Sequence, residues 1–204
     1  VRYRRSCQAP FEEHFVDFIF APMRDAGDQI TGIFCEGFEV TERVQTERLG
    51  LIHNRMLALA VEERAPDDAL SELVRLVEEQ GGYGLLGSVL LLAPDRRHLK
   101  LAAAPNLPPS YNARIDGIAI GEAVGSCGTA VFRREAVYVR DIATDPLWTD
   151  YRELAAAHGL RACWSVPIRN GENGVVGAFA FYYPDVRSPS EADHRVAELA
   201  ARSA

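Results

Sequence analysis

Residues 1–41 show the pattern of antiparallel strands. A β-rich run at residues 15–22 is followed by a turn at residues 25–28 and a returning run at residues 30–40. Asp and Gly in the turn favour the backbone conformations of a tight connection. The pattern therefore predicts a hairpin, with a further short strand at residues 1–7. Such a small sheet is only marginally stable by itself.

The spacing of apolar positions then changes to the rhythm of a helix. Four apolar residues follow the a/d spacing of a coiled coil over two heptads: Leu49, Ile52, Met56 and Leu59. The residues that flank them are strongly polar, which favours pairing with a second helix. We therefore predict a linker helix within residues 44–65 and a homodimer interface at these four positions. The alternative is a single helix that packs on its own domain.

The remainder of the chain predicts strand pairs with helices at its start, middle and end. Such an arrangement is typical of an α+β domain built on an antiparallel sheet. A loop is expected at 105–112, which holds three prolines, and a small-residue turn at 125–130. The predicted regular elements are a helix at 67–80, strands at 85–92, 99–104 and 137–141, a helix at 147–158, a hairpin of 162–168 with 175–183, and a last helix that begins at a capping box on Ser190.

Composition narrows the classes of protein. The chain is 48% hydrophobic and carries a net charge of −7, without a basic cluster, which argues against nucleic acid and anionic membrane surfaces as partners. It has no apolar run of membrane-spanning length and no secretion signal. For a soluble domain of this size, reduced thiols in a cytoplasmic setting are the default expectation. Both ends interrupt predicted elements, which suggests a piece of a longer polypeptide. The four cysteines, Cys7, Cys35, Cys127 and Cys163, lack metal-site spacing, and reduced thiols without a bound metal are expected.

Four blocks in the second half of the chain resemble a GAF domain. They read GSCGTA at 125–130, VRDIATDPLWTDYR at 139–152, GLRACWSVPI at 159–168 and GAFAFYY at 177–183. Residues 15–25 and 30–42 similarly resemble the last strands of a PAS domain. The resemblance implies the C-terminal part of a PAS domain at 1–43, a helical linker at 44–65 and a GAF domain at 66–204, with an antiparallel sheet flanked by helices.

The same resemblance implies a sensory input module of a bacterial signalling protein, most specifically a sensor histidine kinase. The GAF domain would bind a small molecule, whose identity and any cofactor are left open, or it would mediate dimerisation. The alternatives are the input domain of a diguanylate cyclase or phosphodiesterase, an interaction module with an occluded pocket, and a thiol-dependent enzyme resembling methionine sulfoxide reductases. The chain itself holds no motif of a catalytic output domain, and no catalytic residue is expected in it.

The candidate ligand contacts in the GAF-like region are Cys127, Tyr151, Cys163 and Ser165. Successive strand residues point to opposite faces of a sheet, so Cys163 and Ser165 are expected on the pocket face and Trp164 on the other. The two thiols are alternatively small apolar fillers of the core, since free cysteine is among the most buried residue types. Asp145, which precedes a proline, is expected to cap a helix rather than to bind a metal.

Overall fold

The structure is a computed structural model that describes residues 2–3, 12–61, 65–81, 84–171 and 174–204, without the side chains of 2–3, 12–13, 56 and 59–61. Cys7 and the side chains of Met56 and Leu59 therefore lie outside the described part of the chain. The chain divides into two compact units, residues 1–50 and 51–204.

The first unit contains two small antiparallel sheets. Strand β1 (Arg2–Tyr3) pairs with β2 (Glu12–Glu13), and β3 (Val16–Arg24) pairs with β4 (Ile30–Glu39). The connecting turn is held by Asp25, whose carboxylate accepts hydrogen bonds from the backbone N–H groups of Gly27 and Gln29. The predicted hairpin is thus confirmed.

Large apolar side chains remain exposed on the β3–β4 hairpin. Phe20 is 67% exposed and Ile33 is 71% exposed. The two lie on one face of the hairpin, since Phe20 pairs with Cys35 and Pro22 with Ile33. The other face also carries exposed apolar residues, among them Ile19 and Phe34. This hairpin therefore lacks a hydrophobic core of its own.

Helix α1 (Thr41–Val61) covers most of the predicted linker. Ile52 is fully buried and belongs to a hydrophobic cluster of the second unit. An ion pair joins Arg55 to Glu72 at 2.6 Å. Leu49 is half-buried. The apolar side chain of Ile52 is thus already covered within the chain, and the dimer interface stays a prediction.

The second unit contains one antiparallel sheet of six strands in the order β7-β6-β5-β10-β9-β8. Its strands are β5 (Leu86–Leu92), β6 (His98–Ala103), β7 (Ile118–Ala119), β8 (Val137–Val139), β9 (Ala162–Asn170) and β10 (Gly174–Tyr183). Its helices are α2 (Pro66–Gln80), α3 (Pro109–Ile115), α4 (Gly125–Arg133), a 3-10 helix (Pro146–Trp148), α5 (Arg152–Ala157) and α6 (Glu191–Ser203). The α+β architecture predicted from the sequence is confirmed.

The central strands are buried on both faces of this sheet, and each face has its own core. Cys163 on β9 and Tyr182 on β10 pair across the strands and belong to the cluster that α3 and α4 cover. Trp164 and Phe181, one residue along each strand, belong to the cluster that α2 and α6 cover. The predicted division of Cys163 and Trp164 between opposite faces is therefore confirmed.

Two segments predicted as turn or loop are helical. The small-residue segment 125–130 forms most of α4, and the proline-rich loop ends at Pro108, where α3 begins. A proline in the first turn of a helix loses no hydrogen bond, so Pro109 starts α3 rather than preventing it. Gly128 allows α4 to pack closely on β7, because a Cβ there would lie 2.6 Å from the carbonyl oxygen of Ala119.

Candidate functional site

A small cavity lies between the central strands and the helices of the first core. Its volume is about 20 Å³, which is space for roughly one water molecule. The floor includes Leu90 and Tyr182 of the sheet. The remaining wall residues are Tyr111, Ile115, Ile118, Val124, Gly125, Ser126, Cys127, Trp148 and Tyr151. None of these side chains is charged at neutral pH, so the lining favours an uncharged occupant.

The N-terminal turn of α4 forms one wall of the cavity. Its first residue, Gly125, has a φ of 55°, a left-handed conformation that glycine adopts without strain. The following residues Ser126, Cys127 and Thr129 are all buried. The Thr129 hydroxyl accepts a hydrogen bond from the backbone N–H of Val124 at 3.1 Å, which fixes the entry into the helix. The small residues of this segment therefore bring the helix backbone against the cavity.

A short chain of hydrogen bonds joins the cavity wall to the sheet. The indole N–H of Trp148 donates to the Ser126 hydroxyl at 2.9 Å, and this hydroxyl donates to the carbonyl oxygen of Cys163 at 3.2 Å. Trp148 is placed by the 3-10 helix, whose first turn is capped by Asp145: its carboxylate accepts from the backbone N–H of Leu147. The predicted capping role of Asp145 is confirmed. These polar groups satisfy one another, which leaves the wall predominantly apolar.

Two reduced cysteines lie beside this wall. The Sγ of Cys127 is 3.2 Å from the Oγ of Ser165, and the Sγ of Cys163 is 3.9 Å from the same hydroxyl. Burial raises the pKa of the Cys127 thiol, and it raises the pKa of Cys163 well above its usual range, with a further contribution from the neighbouring Cys127. Both side chains are therefore neutral thiols at physiological pH.

The structure brings the four predicted contacts into one region but gives them different positions. Cys127 and Tyr151 line the cavity. Ser165 and Cys163 lie behind Cys127 and are not among the lining residues. All four belong to or pack against the first core, and their role as ligand contacts stays a prediction.

Sequence reasoning missed several wall residues. Tyr182 on β10 pairs with the predicted contact Cys163 on β9, so both side chains lie on the same face of the sheet. The alternation of side chains along β10 was the signal in the sequence that could have identified it. Tyr111 and Ile115 lie on α3, and the loop predicted at 105–112 covered Tyr111 and ended before Ile115. Their spacing of four residues is the signal of a helix face, but a helix of seven residues is too short for that period to stand out.

The sequence model of the GAF domain family matches residues 63–204. A methyl sulfide methyltransferase-associated sensor of Methanosarcina acetivorans is 35% identical over 153 residues, which cover 75% of this chain and 15% of that protein. The chain thus spans a small part of the length of this curated relative.

Solved structures share the fold at low sequence identity. A domain of a protein described as a two-component sensor histidine kinase from Sinorhizobium meliloti matches with a TM-score of 0.56 at 18% identity, over 69% of this chain and 88% of that one. A protein described as a GAF sensor from Burkholderia vietnamiensis matches with a TM-score of 0.63 at 19% identity, over 78% and 92%. The free methionine-R-sulfoxide reductase of Neisseria meningitidis, solved with its substrate, matches with a TM-score of 0.57 at 20% identity, over 76% and 83%.

These likenesses confirm the predicted antiparallel sheet flanked by helices. The solved structures that share this fold include proteins described as sensors and one enzyme. The fold alone therefore does not distinguish a sensory function from an enzymatic one. Among the described residues, no helix combines the length and the apolar character that crossing a bilayer requires.

Proposed function

Because this chain belongs to the GAF domain family, we propose that its second unit is a sensory domain whose cavity admits a small uncharged molecule. The observation that carries the proposal is the lining of the cavity. Four aromatic side chains, Tyr111, Trp148, Tyr151 and Tyr182, surround it without a charged neighbour in the wall. Ligand sites are typically apolar and aromatic with a few polar groups, which is the composition of this wall.

The same wall bears on the chemical class of the ligand. An anionic ligand would lose its hydration in the cavity without gaining an ionic partner, and the negative faces of the aromatic rings would repel it, which together cost several kcal/mol. A largely apolar molecule loses little on entry and gains contact with the aromatic rings. The name of the relative from Methanosarcina acetivorans associates that sensor with a methyl sulfide methyltransferase. Methyl sulfides are small, uncharged and apolar, and they are therefore the first probes to use here.

For the whole protein we propose a signalling role, most specifically as the input half of a cytoplasmic sensor histidine kinase. The curated relative is described as a sensor, and a domain of a protein described as a histidine kinase shares the fold. Within this proposal, residues 1–43 are the closing strands of a PAS domain, 44–65 a linker that pairs in a homodimer, and 66–204 the GAF domain. The uncovered apolar residues of the β3–β4 hairpin support the PAS assignment, since a larger sheet and its helices would bury them.

A thermal-shift measurement tests the ligand class. A ligand that binds only the folded state raises the melting temperature. We expect uncharged small compounds, dimethyl sulfide among them, to raise the melting temperature of the protein, whereas anionic analogues of similar size leave it unchanged. The variant Cys127→Met, which places extra side-chain volume at the wall, should lose the effect. A rise with the anionic analogues alone would overturn the proposal.

The second candidate function is a thiol-dependent reductase, favoured by Cys127 at the cavity wall and by the fold shared with the Neisseria enzyme. A nucleophilic cysteine needs a lowered pKa, and burial acts on Cys127 in the opposite direction. Alkylation of the native protein with iodoacetamide at neutral pH separates the two functions. The sensory proposal expects Cys127 to react far more slowly than the exposed Cys35. Equal rates would favour the enzyme.

A further inference from the structure

The cavity is too small for the ligand class that its wall favours. A volume of about 20 Å³ holds a water molecule, whereas an organic molecule with three or more heavy atoms needs several times that space. Entry therefore requires part of the wall to move. On the premise of the proposed ligand site, one part of the wall moves when a ligand enters.

Two short surface segments contribute aromatic side chains to the wall. Helix α3 supplies Tyr111 and Ile115, and the segment from the 3-10 helix to the end of α5 supplies Trp148 and Tyr151. The rest of the wall comes from the sheet and from the α4 region. Both segments have an exposed outer side, although Tyr111 itself is buried, so they are the parts of the wall that can move without unpairing the sheet.

One hydrogen bond joins these two segments within the described part of the chain. The Oγ of Ser110, on α3, lies 2.8 Å from the Nε2 of His158, at the C-terminal end of α5. The Nδ1 of His158 lies 2.8 Å from the carbonyl oxygen of Leu154. A carbonyl can only accept, so Nδ1 donates to Leu154, and Nε2 is the ring atom that pairs with the Ser110 hydroxyl.

The surroundings of this hydrogen bond link it directly to the cavity. The ring of His158 makes an edge-to-face contact with the wall residue Tyr111, with ring centroids 5.4 Å apart. Within the described residues, α3 is otherwise held by Asn112, whose side chain donates to the carbonyl oxygens of Ala104 and Leu107 in the preceding connection, and by the contact of Tyr111 with Tyr182 of the sheet, which lie edge to face with ring centroids 5.6 Å apart. Ser110 is exposed, so its bond to His158 competes with water and its net contribution is small.

We propose that Ser110 and His158 form a latch that controls access to the cavity. With the hydrogen bond made, α3 is held against the end of α5 and the cavity stays at its small volume. When it breaks, Tyr111 moves with α3 and the cavity enlarges toward solvent. The latch thereby decides which sizes of uncharged molecule reach Cys127.

The reactivity of Cys127 measures this opening without any knowledge of the ligand. Methyl methanethiosulfonate, a small uncharged thiol reagent, is applied to the native protein, and the modification of each cysteine is followed by peptide mass spectrometry. A thiol that reacts only in an open state reacts at a rate proportional to the population of that state. Ser110→Ala and His158→Gln are each expected to raise the rate at Cys127 about five-fold, which corresponds to the loss of one exposed hydrogen bond.

Cys163 is the internal control, because it is fully buried behind Cys127 and does not line the cavity. Ser110→Thr retains the hydroxyl and is expected to react like the wild type. Ser203→Ala removes an exposed serine hydroxyl that bonds to Leu199 on α6 and is expected to change neither rate.

The latch is supported if the modification rate in Ser110→Ala and His158→Gln rises at Cys127 alone. It is overturned if the rate at Cys127 is unchanged, or if the rates at Cys127 and Cys163 rise together as in general unfolding. This outcome can be separated from that of the ligand proposal. Faster modification of Cys127 without any compound that raises the melting temperature would support the latch alone. A compound that raises the melting temperature, without faster modification of Cys127 in the variants, would support the ligand site alone.

Discussion

At the scale of single residues, the wall of the cavity combines reactive residue types with an environment that keeps them inert. The Ser126 hydroxyl makes two hydrogen bonds: it accepts from the indole N–H of Trp148 and donates to the carbonyl oxygen of Cys163. Cys127 and Cys163 both lie within contact distance of the hydroxyl of Ser165. Satisfied polar groups and neutral thiols support the proposal of a recognition site over that of a site for bond making.

The buried thiols predict how stability depends on pH. Burial raises the pKa of Cys127 and Cys163 in the folded state, so the unfolded chain releases these protons at a lower pH than the folded one. The contribution of the two buried thiols to the free energy of unfolding is fully present below the pKa of a thiol in the unfolded chain, about 8.5, and is lost as the pH rises above that value. We expect the free energy of unfolding, measured in urea, to fall between about pH 8 and pH 10.

The control for this prediction is the double variant Cys127→Ala with Cys163→Ala. It is less stable at neutral pH because of the volume lost from the core, but its free energy of unfolding should decline less steeply with pH. Equal slopes in the two proteins would contradict the assignment to the thiols.

At the scale of elements, the sequence predicted long periodic segments well and short ones poorly. The hairpin of β9 and β10, the amphipathic α2 and the capping box of α6 all follow local signals that the chain displays. The helices α3 and α4 were missed because proline and glycine, which usually break helices, stand at their first turns. There they start a short helix or allow close packing, and only the tertiary context distinguishes these roles.

The N-terminal end of α6 is anchored to the sheet by Arg187. Its guanidinium lies 4.3 Å from the ring centroid of Tyr183 and 5.4 Å from that of Trp164, and it pairs with Asp193 at 3.4 Å. Asp193 also completes the capping box with Ser190. The cation is half-buried here, and such contacts are stronger when they are shielded from water.

Arg187→Ala is therefore expected to lower the free energy of unfolding by about 1–2 kcal/mol, through loss of the ring contacts and of the pairing with Asp193. Arg195→Ala on the same helix is the matched control. Arg195 and its partner Glu191 are both exposed and lie 4.0 Å apart, so the expected loss is below about 0.5 kcal/mol. Chemical denaturation measures the free energy of unfolding of both variants. Equal losses in the two would contradict an anchoring role for Arg187.

At the scale of the whole molecule, the sequence left two alternatives for α1, a coiled-coil partner or a helix packed on its own domain. The periodicity that suggested pairing is the same for both, because each buries one apolar stripe. Ile52 is fully buried in the core of the second unit, whereas Leu57 on the same helix is 56% exposed. Burial within the chain is a property of the fold, and a repeat of two heptads cannot reveal it.

Two substitutions distinguish these uses of α1. Ile52→Glu places an unpaired charge in the core and is expected to reduce the free energy of unfolding by about 3 kcal/mol or more. Leu57→Glu changes an exposed position and is expected to alter it by less than about 0.5 kcal/mol. Denaturation at two protein concentrations gives the stabilities. If Ile52→Glu dissociated a dimer and left the stability of the subunit unchanged, the intrachain role of Ile52 would be wrong.

The most direct test of the proposed ligand site is an NMR titration of the protein with dimethyl sulfide and, separately, with the methanesulfinate anion. The two probes are similar in size and differ in charge. We predict that dimethyl sulfide shifts amide resonances around the cavity, at Tyr111, Cys127 and Tyr182, while methanesulfinate leaves them in place and Cys127→Met abolishes the shifts. Shifts caused by the anion, with none from dimethyl sulfide, would contradict a site for uncharged molecules.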